Sequence, residues 1–98
     1  MTSVVYWTAQ ARQQLEWWRE TWGQQRRYQA VVKAIRLLVT DPGHHDLQTH
    51  EFTSLKGPGG EKVFEAYAAP ATPAAYRIFW YYGPKKDQIT VVAIIPHP

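Results

Sequence analysis

The sequence contains no cysteine. No disulfide framework and no thiolate metal centre can form, and the absence fits a reducing cytoplasm. Long apolar runs are missing too. None approaches the about 20 residues that a membrane-spanning helix requires, so no membrane association is expected. Met1 runs straight into Thr-Ser-Val-Val-Tyr-Trp. No basic segment leads into an apolar one there, so no signal peptide is expected. Three catalytic signatures are also lacking: a glycine-rich loop between strand and helix, a His-Glu-x-x-His pair, and a serine-hydrolase elbow. Gly57-Pro58-Gly59-Gly60 has glycine but not the strand-to-helix setting, and reads as a turn. Phosphate-loop, zinc-peptidase and serine-hydrolase chemistries are set aside, and no cofactor is expected.

Aromatic side chains are plentiful. Five Trp and six Tyr stand among 98 residues, enough large rings to build one core. The length suits one domain, residues 1–98. The net charge of +3 is unevenly placed. Arg12, Arg19, Arg26, Arg27, Lys33 and Arg36 face only Glu16 and Glu20 in the first 40 residues, and the remainder carries a slight acidic excess. A basic half points to a polyanion or an acidic protein partner; a solubilising helix surface is the plainer alternative.

Ser3–Trp7 is β-branched and aromatic and predicts a short strand. Thr8 then supplies an N-cap. Ala11, Leu15, Trp18 and Trp22 recur at spacings of four, three and four, one apolar stripe of a helix that Gly23 is placed to end. A second helix is predicted from Gln24 or Gln25 to Val39, with Tyr28, Val31, Ile35 and Leu38 as its stripe and Asp41-Pro42-Gly43 as its stop. The short link makes the pair an αα-hairpin. Residues 43–61 read as irregular, and a loop of that length in a small domain is often functional. Strands are predicted over Val63–Ala69, Tyr76–Tyr82 and Ile89–Ile95, joined by turn-rich links. The expected fold is α+β, in the order β-α-α-β-β-β. Its antiparallel sheet is covered on one face by the helical hairpin and partly open on the other. Val31, Ile35, Leu38, Ile78, Val92 and Ile94 are the core candidates.

Few residues stand out chemically. His44, His45 and His50 with Asp46 match no standard zinc spacing, so they read as solvated loop histidines and no metal is expected. Trp17 lies one position off the helix stripe, suited to flank packing or to anchoring a partner. Arg77 is the most informative residue. It sits in Tyr76-Arg77-Ile78-Phe79-Trp80-Tyr81, and alternation puts it on the face of Phe79 and Tyr81. A charge in mid-sheet needs a partner or a solvated face. Two readings stay open: an ion pair with Glu65 of the neighbouring strand, or a rigid guanidinium that grips a phosphate. His97 follows the last strand, where an antiparallel partner would bring it beside Arg77.

Taken in order, Leu55-Lys56-Gly57, the Tyr76-Arg77-Ile78-Phe79-Trp80 strand and an aliphatic last strand ending in His97 resemble the RelE/ParE superfamily of toxin–antitoxin toxins. The opening Val5-Tyr6-Trp7-Thr8, with Ala11-Arg12 and Leu15, is also similar to the family's usual start. The resemblance implies a toxin that cleaves mRNA on the ribosome without metal or cofactor. The RNA's own 2′-hydroxyl would attack the adjacent phosphate. It further implies an antitoxin protein as partner, in a toxin–antitoxin hetero-oligomer, with ribosome and mRNA as targets. By position, Arg77 matches the phosphate-stabilising arginine, His97 the C-terminal general acid, and Lys56 a loop basic residue. Glu51 or Glu65 would serve as the base. Pro98 stands where members often carry Tyr, and no basic tail follows. A ParE-like inhibitor of DNA gyrase, or an inactive antitoxin-binding domain, are the alternatives that the resemblance leaves open.

Overall fold

The computed structural model describes residues 4–68 and 76–96. Strand β1 (Val4–Trp7) leads through Thr8 into helix α1 (Ala9–Glu20), and helix α2 (Gln25–Thr40) follows after a four-residue link. A 3-10 turn (His45–Leu47) precedes strand β2 (His50–Lys56). Strands β3 (Lys62–Ala68), β4 (Tyr76–Tyr82) and β5 (Gln88–Pro96) complete the chain. The sheet order is β1-β5-β4-β3-β2. The last four strands in sequence pair antiparallel with their sequence neighbours, and β1 adds parallel to β5 at the far edge.

The helices bury their stripes against one face. Ala11 and Trp18 of α1 and Val31, Ala34, Ile35 and Leu38 of α2 meet Ala66, Ile78, Trp80, Ile89, Val91 and Ile94 of the sheet. Trp18 sets its ring edge-on to Tyr76, with centroids 4.6 Å apart. The second face carries a smaller cluster of Val63, Phe79, Tyr81 and Ala93, flanked by Phe52, Val92 and Ile95. Among the described residues, no helix contributes to that cluster. The expected α+β layering, with one covered and one open face, is what the chain adopts.

Four expectations are corrected. Residues 50–56 form an edge strand, not part of a loop. Trp22 is 93% exposed. Helix α1 stops at Glu20, the capping Thr21 turns extended, and Trp22 therefore leaves the stripe that its spacing predicted. Gly23, at φ +83°, lies in the link and not at the helix cap. Val92 belongs to the second cluster, because β5 slips register between the Phe79–Ala93 and Trp80–Val91 pairs and makes a bulge there.

A bulge leaves ladder groups without their usual strand partners, and the first helical segment meets two of them. The Thr8 hydroxyl donates to the Val92 carbonyl, and the same oxygen accepts the Ala11 N–H at 3.1 Å. Gln14 Oε1 accepts the Ile94 N–H at 2.8 Å. Thr8 thus caps α1 and fastens it to β5. In the β2–β3 hairpin, the Glu61 carbonyl accepts the Gly57 N–H at 2.8 Å, and its carboxylate accepts the Gly59 N–H at 2.7 Å. A Cβ on Gly57 would fall 2.5 Å from that carboxylate. The glycines close a tight turn.

Loss of the Thr8 hydroxyl removes the cap and leaves the Val92 carbonyl without its donor. Thr8→Ala should therefore cost about 1–2 kcal/mol in urea unfolding, the range for N-cap removal. An unchanged midpoint would show that the contact contributes nothing.

Candidate functional site

The open face holds a cluster built around one carboxylate. Strand β3 places Glu65 opposite Phe79, and Tyr67 opposite Arg77, so all four side chains emerge on the same side. Glu65 is only 5% exposed. A buried carboxylate needs compensating donors, and three side chains supply them. Arg77 Nη1 lies 3.3 Å from Glu65 Oε2. The Tyr67 hydroxyl donates to Oε1 at 3.3 Å. His50, paired across from Glu65 at the start of β2, brings Nε2 into direct contact with Oε1.

His50 is held from both sides, because its Nδ1 lies 3.1 Å from the Gln48 carbonyl oxygen. Both ring nitrogens face acceptor oxygens. Its side chain is 53% exposed, so it reaches solvent while touching a buried partner. Arg77 rests over the Phe79 ring, with its guanidinium carbon 5.2 Å from the centroid. Glu65 takes one of the five guanidinium donors in a single-armed contact. Arg77 and His50 therefore converge on one carboxylate, at the open face of the sheet. An arrangement of this kind can offer its guanidinium donors to a phosphate or carboxylate.

Tyr67 reports the field of the cluster. Burial pushes its phenol above the ordinary value, the neighbouring Glu65 charge and their hydrogen bond push it further, and Arg77 pulls it back.

The five residues singled out by resemblance are not gathered in one place. Arg77 and Glu65 meet, as the ion-pair reading of Arg77 requires. Glu51 pairs across from Phe64, and Lys56 from Lys62, so both emerge toward the opposite face. There they engage one another, with Lys56 Nζ 3.7 Å from Glu51 Oε2. His97 lies outside the described residues. The register of β5 sets Pro96, the residue before it, across from Tyr76. His50, read from sequence as a solvated loop residue, is the member that sequence reasoning missed. A strand reading of residues 50–56 would have placed it beside Glu65. His44, His45 and Asp46 are the described residues nearest to a metal-ligand set, with one candidate ligand atom from each within 4.8 Å of the others.

No protein-family model matches the sequence, and no curated protein does. Solved structures do share the fold. The archaeal RelE in its RelE–RelB complex from Pyrococcus horikoshii superposes with a TM-score of 0.66 at 18% identity, covering 98% of this chain and 96% of that one. The YoeB/ParE toxin from Agrobacterium tumefaciens gives a TM-score of 0.69 at 17% identity, covering 97% of this chain and 99% of that one. The chain has the RelE/ParE-like fold over nearly its whole length.

The cluster makes Tyr67 a local probe. In Glu65→Gln, Tyr67 should ionise at lower pH than in the wild type, because a negative charge and a charged acceptor are lost. In Arg77→Met it should ionise at higher pH, because a stabilising positive charge is lost. NMR of ¹³Cζ-labelled tyrosine across the alkaline range measures both. Identical Tyr67 titrations in all three proteins would show that the groups do not share a field.

Proposed function

We propose that this chain is the toxin of a toxin–antitoxin pair and acts as a metal-independent endoribonuclease on ribosome-bound mRNA in the cytoplasm. The observation that carries the proposal is the contact of Arg77 and His50 with a buried Glu65 on an open sheet face. The fold shared with a RelE and a YoeB/ParE toxin supports it.

The chemistry follows from the charges. A phosphodiester entering the open face draws Arg77 and His50 onto its non-bridging oxygens, where fixed donors meet the charge that grows in the transition state. Glu65 is freed as they turn, and it is the carboxylate nearest the bound phosphate. It takes the proton of the 2′-hydroxyl. The 2′-oxygen then attacks phosphorus, and the bond to the 5′-oxygen breaks. His97 gives that oxygen its proton. The products are a 2′,3′-cyclic phosphate and a 5′-hydroxyl. Glu65 is preferred to Glu51 as base because Glu51 and Lys56 neutralise one another toward the opposite face.

The partner is an antitoxin. The Pyrococcus neighbour is a complex of RelE with RelB. Here the exposed Trp17 and Trp22 offer apolar anchors at the C-terminal end of helix α1, in the half of the chain that carries most of the positive charge.

The test is single-turnover cleavage of ribosome-bound mRNA, with circular dichroism as the folding control. Arg77→Ala should lose about 10²-fold or more, the scale of one transition-state donor. His97→Ala should lose about 10²- to 10⁴-fold, the range of general acid–base catalysis. Glu65→Gln should cost more than Glu51→Gln. Full activity in folded Arg77→Ala and His97→Ala would dismiss this site. Wild-type chain that stalls DNA gyrase and never cuts RNA would replace the function with gyrase inhibition.

A further inference from the structure

We infer that an aromatic cleft on the helix-covered side of the sheet edge binds a base of single-stranded RNA, next to the strand end where the candidate site begins. The inference rests on the RNA-directed reading above and adds a subsite on the other side of β2.

The cleft encloses about 310 Å³, at the lower end of the about 300–1,000 Å³ typical of small-molecule sites. One wall is aromatic. Phe64 stacks on Trp80 with centroids 5.1 Å apart and an interplanar angle of 29°. Tyr82 stands edge-on to both, 4.8 Å from Trp80 and 5.9 Å from Phe64. The facing wall is the loop before β2, where the rings of His44 and His45 stack 4.6 Å apart. A slot between ring systems suits a flat, polarisable guest, since bases stack on aromatic side chains whatever their sequence. Tyr82 is 53% exposed, a large apolar ring left in water beside an open slot.

Charge selects a nucleic acid over an apolar peptide. Lys62 emerges on the same side as Phe64, two residues along β3. Lys85 and Lys86 lie in the turn that follows Tyr82. No ion pair among the described residues engages these three lysines. They are exposed, and phosphates flanking a stacked base would meet them.

Topology joins the cleft to the cluster. Gln48 and Thr49 line the cleft. The next residue, His50, enters β2 and turns to the other side, onto Glu65. One RNA strand folding around the start of this edge strand can seat a base among Phe64, Tyr82 and His44 while a neighbouring phosphate faces Arg77.

The test uses a fluorescein-labelled 2′-O-methyl RNA hexamer, which the proposed reaction cannot cleave, titrated by anisotropy at low salt. Tyr82→Leu keeps an apolar side chain and removes the ring. It should weaken binding about 5-fold or more, the lower end of one base–aromatic stack, whereas Tyr82→Phe should bind like wild type. A hexamer with abasic positions should bind wild type as weakly as the intact hexamer binds Tyr82→Leu. A 5-iodouridine hexamer should photocrosslink to the peptides carrying Phe64 or Tyr82. Equal affinity of Tyr82→Leu and wild type, or crosslinks confined to Tyr67 and Phe79 beside Arg77, would overturn the inference. So would a Tyr82→Leu variant that binds RNA normally but no longer binds its protein partner, because the cleft would then be a protein-docking site. Cleavage of mRNA with no role for Tyr82 removes the subsite and leaves the function. Ring-dependent binding of RNA that is never cut removes the function and leaves the subsite.

Discussion

A carboxylate buried in the middle of a sheet is stable only if donors surround it, and Glu65 imposes that condition on the open half of this molecule. The cost of an uncompensated buried charge is several kcal/mol, comparable to the whole stability of a small domain. Strands β2, β3 and β4 must therefore sit in the register that brings His50, Tyr67 and Arg77 onto one side chain. A slip of one residue in either ladder would turn a donor to the far face and strand the charge. The same condition that holds the sheet edge in place gathers Arg77 and His50 at a surface that no described helix covers. Structure and candidate chemistry share one contact.

The two faces of the sheet divide the work. The helical pair seals the first face with large apolar side chains, and Thr8 and Gln14 satisfy the backbone groups that the β5 bulge releases there. The second face keeps a small aromatic and aliphatic cluster, and the Arg77 guanidinium sits over its Phe79 ring. A guanidinium backed by a ring and held by one carboxylate oxygen keeps its other donors for a phosphate. Preorganised donors of this kind act most strongly where water is partly excluded.

Much of the layout was legible in the chain. The period of the helix stripes located α1 and α2. The dense aromatic run of β4 and the alternation of Val63, Glu65 and Tyr67 fixed the faces on which Arg77 and Glu65 meet. The failures have physical causes. Strand β2 lies at the sheet edge, largely exposed, and its pairing shifts register between Glu51 and Lys56, so neither burial nor a clean period of two marked it. Missing that strand hid His50, because a histidine in a presumed loop has no assigned neighbour. Trp22 misled in the opposite way: its spacing continued a stripe that the helix itself did not. The pairing of Lys56 with Glu51 on the side away from Arg77 followed from the same unseen strand.

The proposed chemistry is transesterification of RNA by the cluster's own side chains. The ends of the cut strands test it most directly. Ribosome-bound mRNA treated with the wild-type chain should be cut to fragments bearing 2′,3′-cyclic phosphate and 5′-hydroxyl ends. Fragments bearing 5′-phosphate and 3′-hydroxyl ends, or mRNA that stays intact on ribosomes saturated with the chain, would contradict it.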